Sequence, residues 1–334
     1  MNVKNSYTLA DVAMRAEVSE ITVSRVLRNK TSVAEKTRER VLAVVREMGY
    51  VPNRVAGTLA SSGSNLIGVV LPSLSNIVFP DVLRGIHASL ASSGYQPVVG
   101  VTDYDIDVEE ALVASLLSWQ PAAMILSGLH HTDYTVEMLK RSGVRIAELM
   151  DIDSTPLDIA VGMSHRQAGV DTALHLHRRG YRRFGYVGHD RSRDLRAARR
   201  YEGFRQGLAD VGLSLVGEVA ANAPSSTMVG RELLGQLLAK HRDLDAVVFS
   251  NDDMAVGGVF HCFAAGIRPR EDLALFGFNG LDIGQALPQP LSTIRSHRFL
   301  IGKTAAEMIL EAPEHPGTPT IRDTGYEIVE GATA

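Results

Sequence analysis

Residues 8–27, TLADVAMRAEVSEITVSRVL, decide how the N-terminal part of this 334-residue chain folds. Thr8 is a helix-capping residue and Asp11 stands three positions on, the spacing at which each side chain can bond the other's backbone N–H. Leu9, Val12 and Ala13 then share one face of a short helix. Glu17-Val18-Ser19 stop it. Ser19 can cap a second helix whose Val23, Val26 and Leu27 point inward, which leaves Thr22, Ser24 and Arg25 outward. Ser32 followed by Glu35 signals a third, carrying Val41, Leu42, Val45 and Met48 at core spacing and ending at Gly49. Three short helices with a tight turn between the first two make an all-α helix-turn-helix head.

Charge agrees with that reading once the chain is divided. Residues 1–62 carry a net charge of +4 and the remainder −8, although the whole chain is at −4. A basic head suits a polyanion, and neutralising phosphates yields affinity that falls with salt and is largely blind to sequence. Sequence is read by the second helix, with its N-terminal residues at base edges in the major groove. Glu20, Ile21 and Arg25 are therefore the expected base readers: a carboxylate accepts from a cytosine amino group, Ile21 packs on a thymine methyl, and Arg25 pairs with guanine. Ser19, Thr22, Ser24 and Asn29 are expected at phosphates, and Thr8 is counted in the same DNA-facing set.

From Leu66 the pattern changes to short apolar runs alternating with amphipathic helices. LIGVVL, QPVVGV, AAMILS, RIAEL, DIAVG, RFGYVG, AVVFS and LALFGF read as buried strands. Helical patterns at 79–93, 108–119, 135–142, 167–179, 198–211, 227–240 and 254–265 separate them. This alternation predicts an α/β core of doubly wound parallel sheets, and about 270 residues exceed one ordinary core, so two lobes are expected. The break is placed near 161–164, with returns near 291–296 and 319–322. The expected division is a head at 1–62 and a core at 63–334. Lobe 1 takes about 65–162 and 295–320, and lobe 2 about 163–291 and 321–330.

No apolar run reaches the ~20 residues that span a membrane, and the polar start does not read as a signal peptide. The lone Cys262 allows no intramolecular disulfide, suits a reducing cytoplasm and reads as a small core residue. GxGxxG after a strand, GxxxxGK, HExxH, paired CxxC and GxSxG are all missing, so no enzyme, cofactor or metal site is expected. His175 and His177 are two apart on a helix and cannot share a face for a metal. In open parallel sheets ligands bind beyond the C-terminal ends of the strands. Those ends deliver Ser73, Asn76 and Phe79, then His130, Glu148, Ser164 and His165, and later Arg200, Asn251 and Asn279. They are the expected effector-binding set. Arg193, Arg196 and Arg199 read equally well as a wet helix face.

TLADVAMRAEVSEITVSRVL, VAEKTRERVLAVVREMGYVPNRVAGTLASSGSNLIGVVLP and SNDDMAVGG resemble the lactose-repressor (LacI/GalR) family of bacterial transcription regulators over nearly the whole chain. The resemblance implies a periplasmic-binding-protein-like core of two lobes joined by three crossovers. It also implies a homodimer on a pseudo-palindromic operator. It makes Asn53–Ala60 a hinge helix that forms on operator DNA, with Leu59 wedged into a minor-groove base step, Ala56 beside it and Asn53 and Arg54 at the DNA. About eight residues are too few for a stable isolated helix, and Gly57 costs roughly 1 kcal/mol more. Ser61-Ser62-Gly63-Ser64 reads as plain linker. Arg200 before YEGF matches the family's effector-binding arginine, and Asn251 and Asn279 match two further pocket positions.

Asn279 departs from the family's usual aspartate. Removing that charge beside arginines favours an anionic ligand. PSLSN, ELMD, LDIAVG and GFNGLDIGQ look most like the gluconate-utilisation repressors, which implies a sugar-acid effector that releases the operator. A corepressor-type or neutral-sugar-responsive regulator, and a sugar-binding transport protein of the periplasmic type, are the alternatives. The tail after Pro313 has no apolar heptad, so a dimer without further assembly is expected.

Overall fold

A computed structural model describes residues 7–27, 32–51, 64–312 and 317–334. They belong to two compact units, Met1–Gly63 and Ser64–Ala334. The first holds α1 (Leu9–Arg15), α2 (Glu20–Leu27) and α3 (Glu35–Met48). α1 opens on a capping box: Thr8 N donates to Asp11 at 2.7 Å and Asp11 N donates to the Thr8 hydroxyl at 3.3 Å. Glu17 turns the chain with a φ of 54°, and Ser19 Oγ accepts from Thr22 N at 3.3 Å to begin α2. The third helix departs from expectation. It starts on Ala34 without a side-chain cap, because Ser32 stands two residues too early to reach the free N–H groups. Gly49 ends it at a φ of 59°, with Tyr50 N donating back to Val45 O at 3.0 Å.

Val12, Ala13, Ala16, Val23, Val26, Val41 and Val44 fill the interior of this unit, with Leu42, Val45 and Met48 packed around them. Burying each valine contributes roughly 1.5–3 kcal/mol, the main stabilising term for so small a core.

The second unit contains two six-stranded sheets. The first sheet runs β11-β5-β4-β3-β1-β2, all parallel, from β1 (Leu66–Leu71), β2 (Gln96–Val101), β3 (Ala123–Ser127), β4 (Arg145–Asp151), β5 (Ile159–Met163) and β11 (Thr320–Asp323). The second runs β12-β10-β9-β8-β6-β7, from β6 (Phe184–Gly188), β7 (Leu215–Ala220), β8 (Ala246–Phe249), β9 (Ala274–Asn279), β10 (Ser292–Ser296) and β12 (Tyr326–Val329). Among the described strands only β12 is antiparallel to its neighbour. The helices are α4 (Val78–Leu90), α5 (Ile106–Ser118), α6 (Asp133–Ser142), α7 (His165–Arg178), α8 (Leu195–Asp210), α9 (Thr227–Lys240), α10 (Asp252–Ala265), the single turn α11 (Asp282–Gln285) and α12 (Arg298–Leu310).

The chain passes between lobes after Met163, after Ser296 and between Asp323 and Tyr326. The last of these falls slightly later than expected, because residues 320–323 pair with β5 in the first sheet. Likewise Arg295 and Ser296 still belong to the second sheet, paired with Glu327 and Tyr326.

Three helix pairs cross through reciprocal glycines. A Cβ on Gly85 of α4 would overlap the Phe299 carbonyl of α12, and one on Gly302 would overlap that of Val82. Gly169 of α7 and Gly203 of α8 stand in the same relation to Arg200 and Arg166, as do Gly230 of α9 and Gly257 of α10 to Met254 and Thr227. Backbones this close leave no room for any side chain. The α7–α8 crossing fixes the axial position of α8, which carries the arginines described next.

Candidate functional site

The exposed side of α2 is unlike a surface built for water alone. Ile21 is 64 % exposed beside exposed Glu20 and Arg25, while Val23 and Val26 lie in the core. Thr22 and Ser24 are half-buried on the same helix, and the Ser19 and Thr22 hydroxyls share a 2.9 Å hydrogen bond. Thr8 is exposed but committed to its cap. Asn29, Asn53, Arg54, Ala56 and Leu59 lie outside the described residues.

Between the two sheets, the loops that leave the C-terminal ends of the strands enclose a cavity of about 570 Å3. Ser73, Asn76 and Tyr104 line it from the first lobe, and Asp190, Arg193 and Asn251 from the second. A smaller chamber of about 110 Å3 adjoins it, sharing Tyr104, Arg193 and Asp194, and is walled by Ser127, His130, Asp151, Arg196 and Arg199. Two side chains of the large cavity are held by local turns. Asn76 Oδ1 accepts from Val78 N at 3.1 Å, and Asn251 caps α10 by accepting from Met254 N at 3.1 Å. Of the expected effector set, Ser73, Asn76, His130 and Asn251 line these two spaces.

The other six are not in the lining of either space. Phe79 is buried, with the Arg196 guanidinium 5.4 Å from its ring centre. Ser164 caps α7 and donates to Asp153 at 2.5 Å. Glu148 is buried beside His131 and accepts from Leu157 N at 2.5 Å. Asn279 ends β9 at a φ of 119°, and its backbone carbonyl accepts from Arg298.

His165 and Arg200 are bonded to each other. Arg200 donates to Ser250 O at 3.1 Å and to His165 Nδ1 at 3.0 Å, and its guanidinium lies 4.0 Å from the centre of the Phe278 ring. Burial, then the charges of Arg200 and Arg196, hold His165 well below its ordinary pKa. Neutral His165 can thus accept from Arg200 at Nδ1 and donate from Nε2 to Met150 O at 2.8 Å. Together they form a hydrogen-bonded strut from Met150 O to Ser250 O.

The free cationic capacity belongs to the preceding turns. Arg193 is exposed, lines both cavities and makes no hydrogen bond or ion pair among the described residues. Asp194 caps α8, accepting from Ala197 N at 3.1 Å, and contacts His189 at 3.3 Å. Burial opposes its ionisation, but His189, Arg196 and Arg200 outweigh that and hold its carboxyl well below the usual range. Cations crowded at a helix N-terminus oppose the helix dipole. That mismatch was the sequence signal for Arg193, Arg196 and Arg199. Nothing in the sequence pattern marks Tyr104, whose loop turns through Asp103 and Tyr104 at φ values of 51° and 61°.

Among the described residues no His, Cys, Asp and Glu cluster is arranged for a metal ion, and no helix is long and apolar enough to cross a membrane. Cys262 is buried, and burial pushes its thiol up to about 12.

A helix-turn-helix unit and a two-lobed core with a polar cleft define a ligand-responsive DNA-binding regulator. Residues 8–53 match the profile for bacterial regulatory proteins of the lacI family, and residues 173–334 that for a periplasmic binding protein-like domain. The chain is 40 % identical to the HTH-type transcriptional regulator GntR of Pseudomonas aeruginosa, over 91 % of this chain and 88 % of that one. It is 36 % identical to the regulator of the same name from Escherichia coli K12, over 99 % of each. A LacI-family regulator from Silicibacter pomeroyi superposes with a TM-score of 0.92 at 42 % identity, covering 98 % of this chain and 99 % of that one. The lac repressor dimer bound to operator and the anti-inducer ONPF superposes at 0.83 with 25 % identity, over 98 % and 99 %. The chain belongs to the LacI family of bacterial transcription regulators. It is a DNA-binding repressor with an effector-binding core, and its relatives are regulators rather than enzymes.

Proposed function

We propose that this repressor responds to a sugar acid, gluconate or a close relative, bound in the interlobe cleft, and that the ligand releases it from operator DNA. The carrying observation is Arg193, an exposed guanidinium with no hydrogen bond or ion pair among the described residues, lining a polar cavity of about 570 Å3. The cavity is large enough for a six-carbon acid, and its serine, asparagine and carboxylate walls suit hydroxyls. The resemblance to gluconate-utilisation repressors supports the same ligand class. Ser73, Asn76, His130 and Asn251 are its proposed contacts, with the acid group on the side of Arg193, Arg196 and Arg199.

Glu20, Ile21 and Arg25 read bases, Ser19, Thr22, Ser24 and Asn29 hold phosphates, and Asn53–Ala60 serves as the hinge with Leu59 as wedge. The protein acts in the cytoplasm as a homodimer on a pseudo-palindromic site. The division into head, residues 1–62, and effector-binding core, residues 63–334, follows the same reading. The effector shifts operator affinity by the difference in its affinity for the two states of the protein. Isothermal titration of the full chain with gluconate, 2-ketogluconate, 5-ketogluconate and neutral hexoses tests it. Tightest binding is expected for an acid, and preference for a neutral hexose would overturn the reading.

A further inference from the structure

Two arginines of α8 hold the lobes together from the second side. Arg196 Nη1 donates to Ser127 Oγ, at the end of β3, at 2.8 Å. One turn on, Arg199 pairs with Asp151 at the end of β4 and donates from Nη2 to Ser154 Oγ at 3.0 Å. All of these except Ser154 line the 110 Å3 chamber. Asp151 is 2 % exposed, and besides Arg199 it accepts a hydrogen bond from Asp153 N at 2.9 Å.

The other carboxylates on the chamber wall have their own partners. Glu109 contacts His131 at 2.6 Å, Asp105 caps α5, and Asp194 has His189, the α8 N–H and a longer ion pair with Arg196 at 3.7 Å. Among the described residues Asp151 takes its only ion pair from a chamber arginine. The chamber and the large cavity share Tyr104, Arg193 and Asp194, so the acid end of a ligand in the cleft lies beside the chamber. There it meets Arg196 and Arg199, and also Asp151, a like charge in a poorly solvated space. Two carboxylates cannot both be satisfied by Arg199 without cost. Burial already pushes the Asp151 carboxyl above its ordinary range, so its charge is poorly supported even before a second one arrives.

We propose that Asp151 is a built-in competitor for the acid group of the effector, occupying Arg199 until a ligand carboxylate takes its place. The proposal rests on the sugar-acid reading above and adds a specificity-determining residue to it. Asp151 weakens the binding of acids selectively, which sets the concentration at which the regulator responds, and leaves neutral polyols unaffected.

The test is calorimetric titration of full-length wild type, Asp151→Asn and Arg199→Gln with gluconate and with glucitol, the uncharged polyol of the same length. Thermal unfolding of each variant verifies that it is folded. Asn keeps the bond from Asp153 N and removes the charge. Gluconate affinity is expected to rise at least 5-fold in Asp151→Asn and fall at least 10-fold in Arg199→Gln, with glucitol affinity unchanged in both. If wild type binds gluconate and Asp151→Asn binds it equally or more weakly, competition is overturned while the sugar-acid reading stands. If wild type binds no sugar acid, the reading beneath it fails, and the proposal with it.

Discussion

The guanidinium of Arg200 stacks 4.0 Å from the centre of the Phe278 ring, and both side chains lie within the wall of the second lobe. This relationship makes Arg200 a structural element. Removing it leaves His165 Nδ1 and the Ser250 carbonyl without their donor and strips a counter-charge from half-buried Asp194. Arg200→Ala is expected to destabilise the core by about 3 kcal/mol, as for one member of a buried charged network. Urea unfolding followed by circular dichroism measures this, and an unchanged midpoint would contradict it.

His131 predicts a pH dependence. Its Nδ1 lies 2.6 Å from Glu109, and its Nε2 is a close ion pair, 3.3 Å from Glu148, too far off line for a hydrogen bond. Burial opposes protonation, but the two carboxylates outweigh it and raise the pKa to about 9. A pKa raised above the unfolded value of 6.5 stabilises the fold fully below pH 6.5, and that contribution is lost as pH rises through 9. Its size is on the order of 3 kcal/mol. The stability gap between wild type and His131→Gln should therefore narrow between pH 7 and pH 10, the range to scan by chemical denaturation.

Gly203→Ala inserts a methyl group where α8 touches the Arg166 carbonyl. The helices must separate, at a cost of about 1–3 kcal/mol or more. The displaced α8 carries Arg196 and Arg199 and follows Arg193 directly, so ligand response should fall with stability. Calorimetric titration beside thermal unfolding checks both, and full retention of each would show that the crossing is looser than its geometry implies.

Ile21→Ala separates reading from folding. The side chain is 64 % exposed and outside the head's core, so stability should stay within about 0.5 kcal/mol. Specific operator affinity should fall by about 1–3 kcal/mol if Ile21 meets a base edge, with non-specific DNA binding unchanged. Gel-shift titrations on both kinds of DNA distinguish this from an equal loss on each, which would place Ile21 away from the bases.

Much of this architecture is legible in the chain because its signals are local. The Thr8–Asp11 box, the apolar spacing of α1 and α2 and the buried strands each follow from neighbours a few residues apart. Edge strand β7 and helix α12 escape notice for the opposite reason. β7 is half-exposed along its length, and α12 mixes exposed Phe299 and Leu300 with buried Ile301.

The site is less legible than the fold. Strand ends locate the cleft, but they do not say which polar residue faces it. Arg200 and Arg196 lie four apart on one helix, yet one turns into the wall and the other into the chamber. Tertiary packing of Phe278 and His165 decides that, and neither is near α8 in sequence.

The most direct test of the account is operator release. Operator fragments are selected from random DNA by the full-length protein, and its complex with a labelled fragment is titrated with gluconate or glucose while anisotropy is followed. Loss of the complex with gluconate at concentrations that leave it intact with glucose is the predicted result. Release by glucose alone, or tighter DNA binding with gluconate, would contradict it.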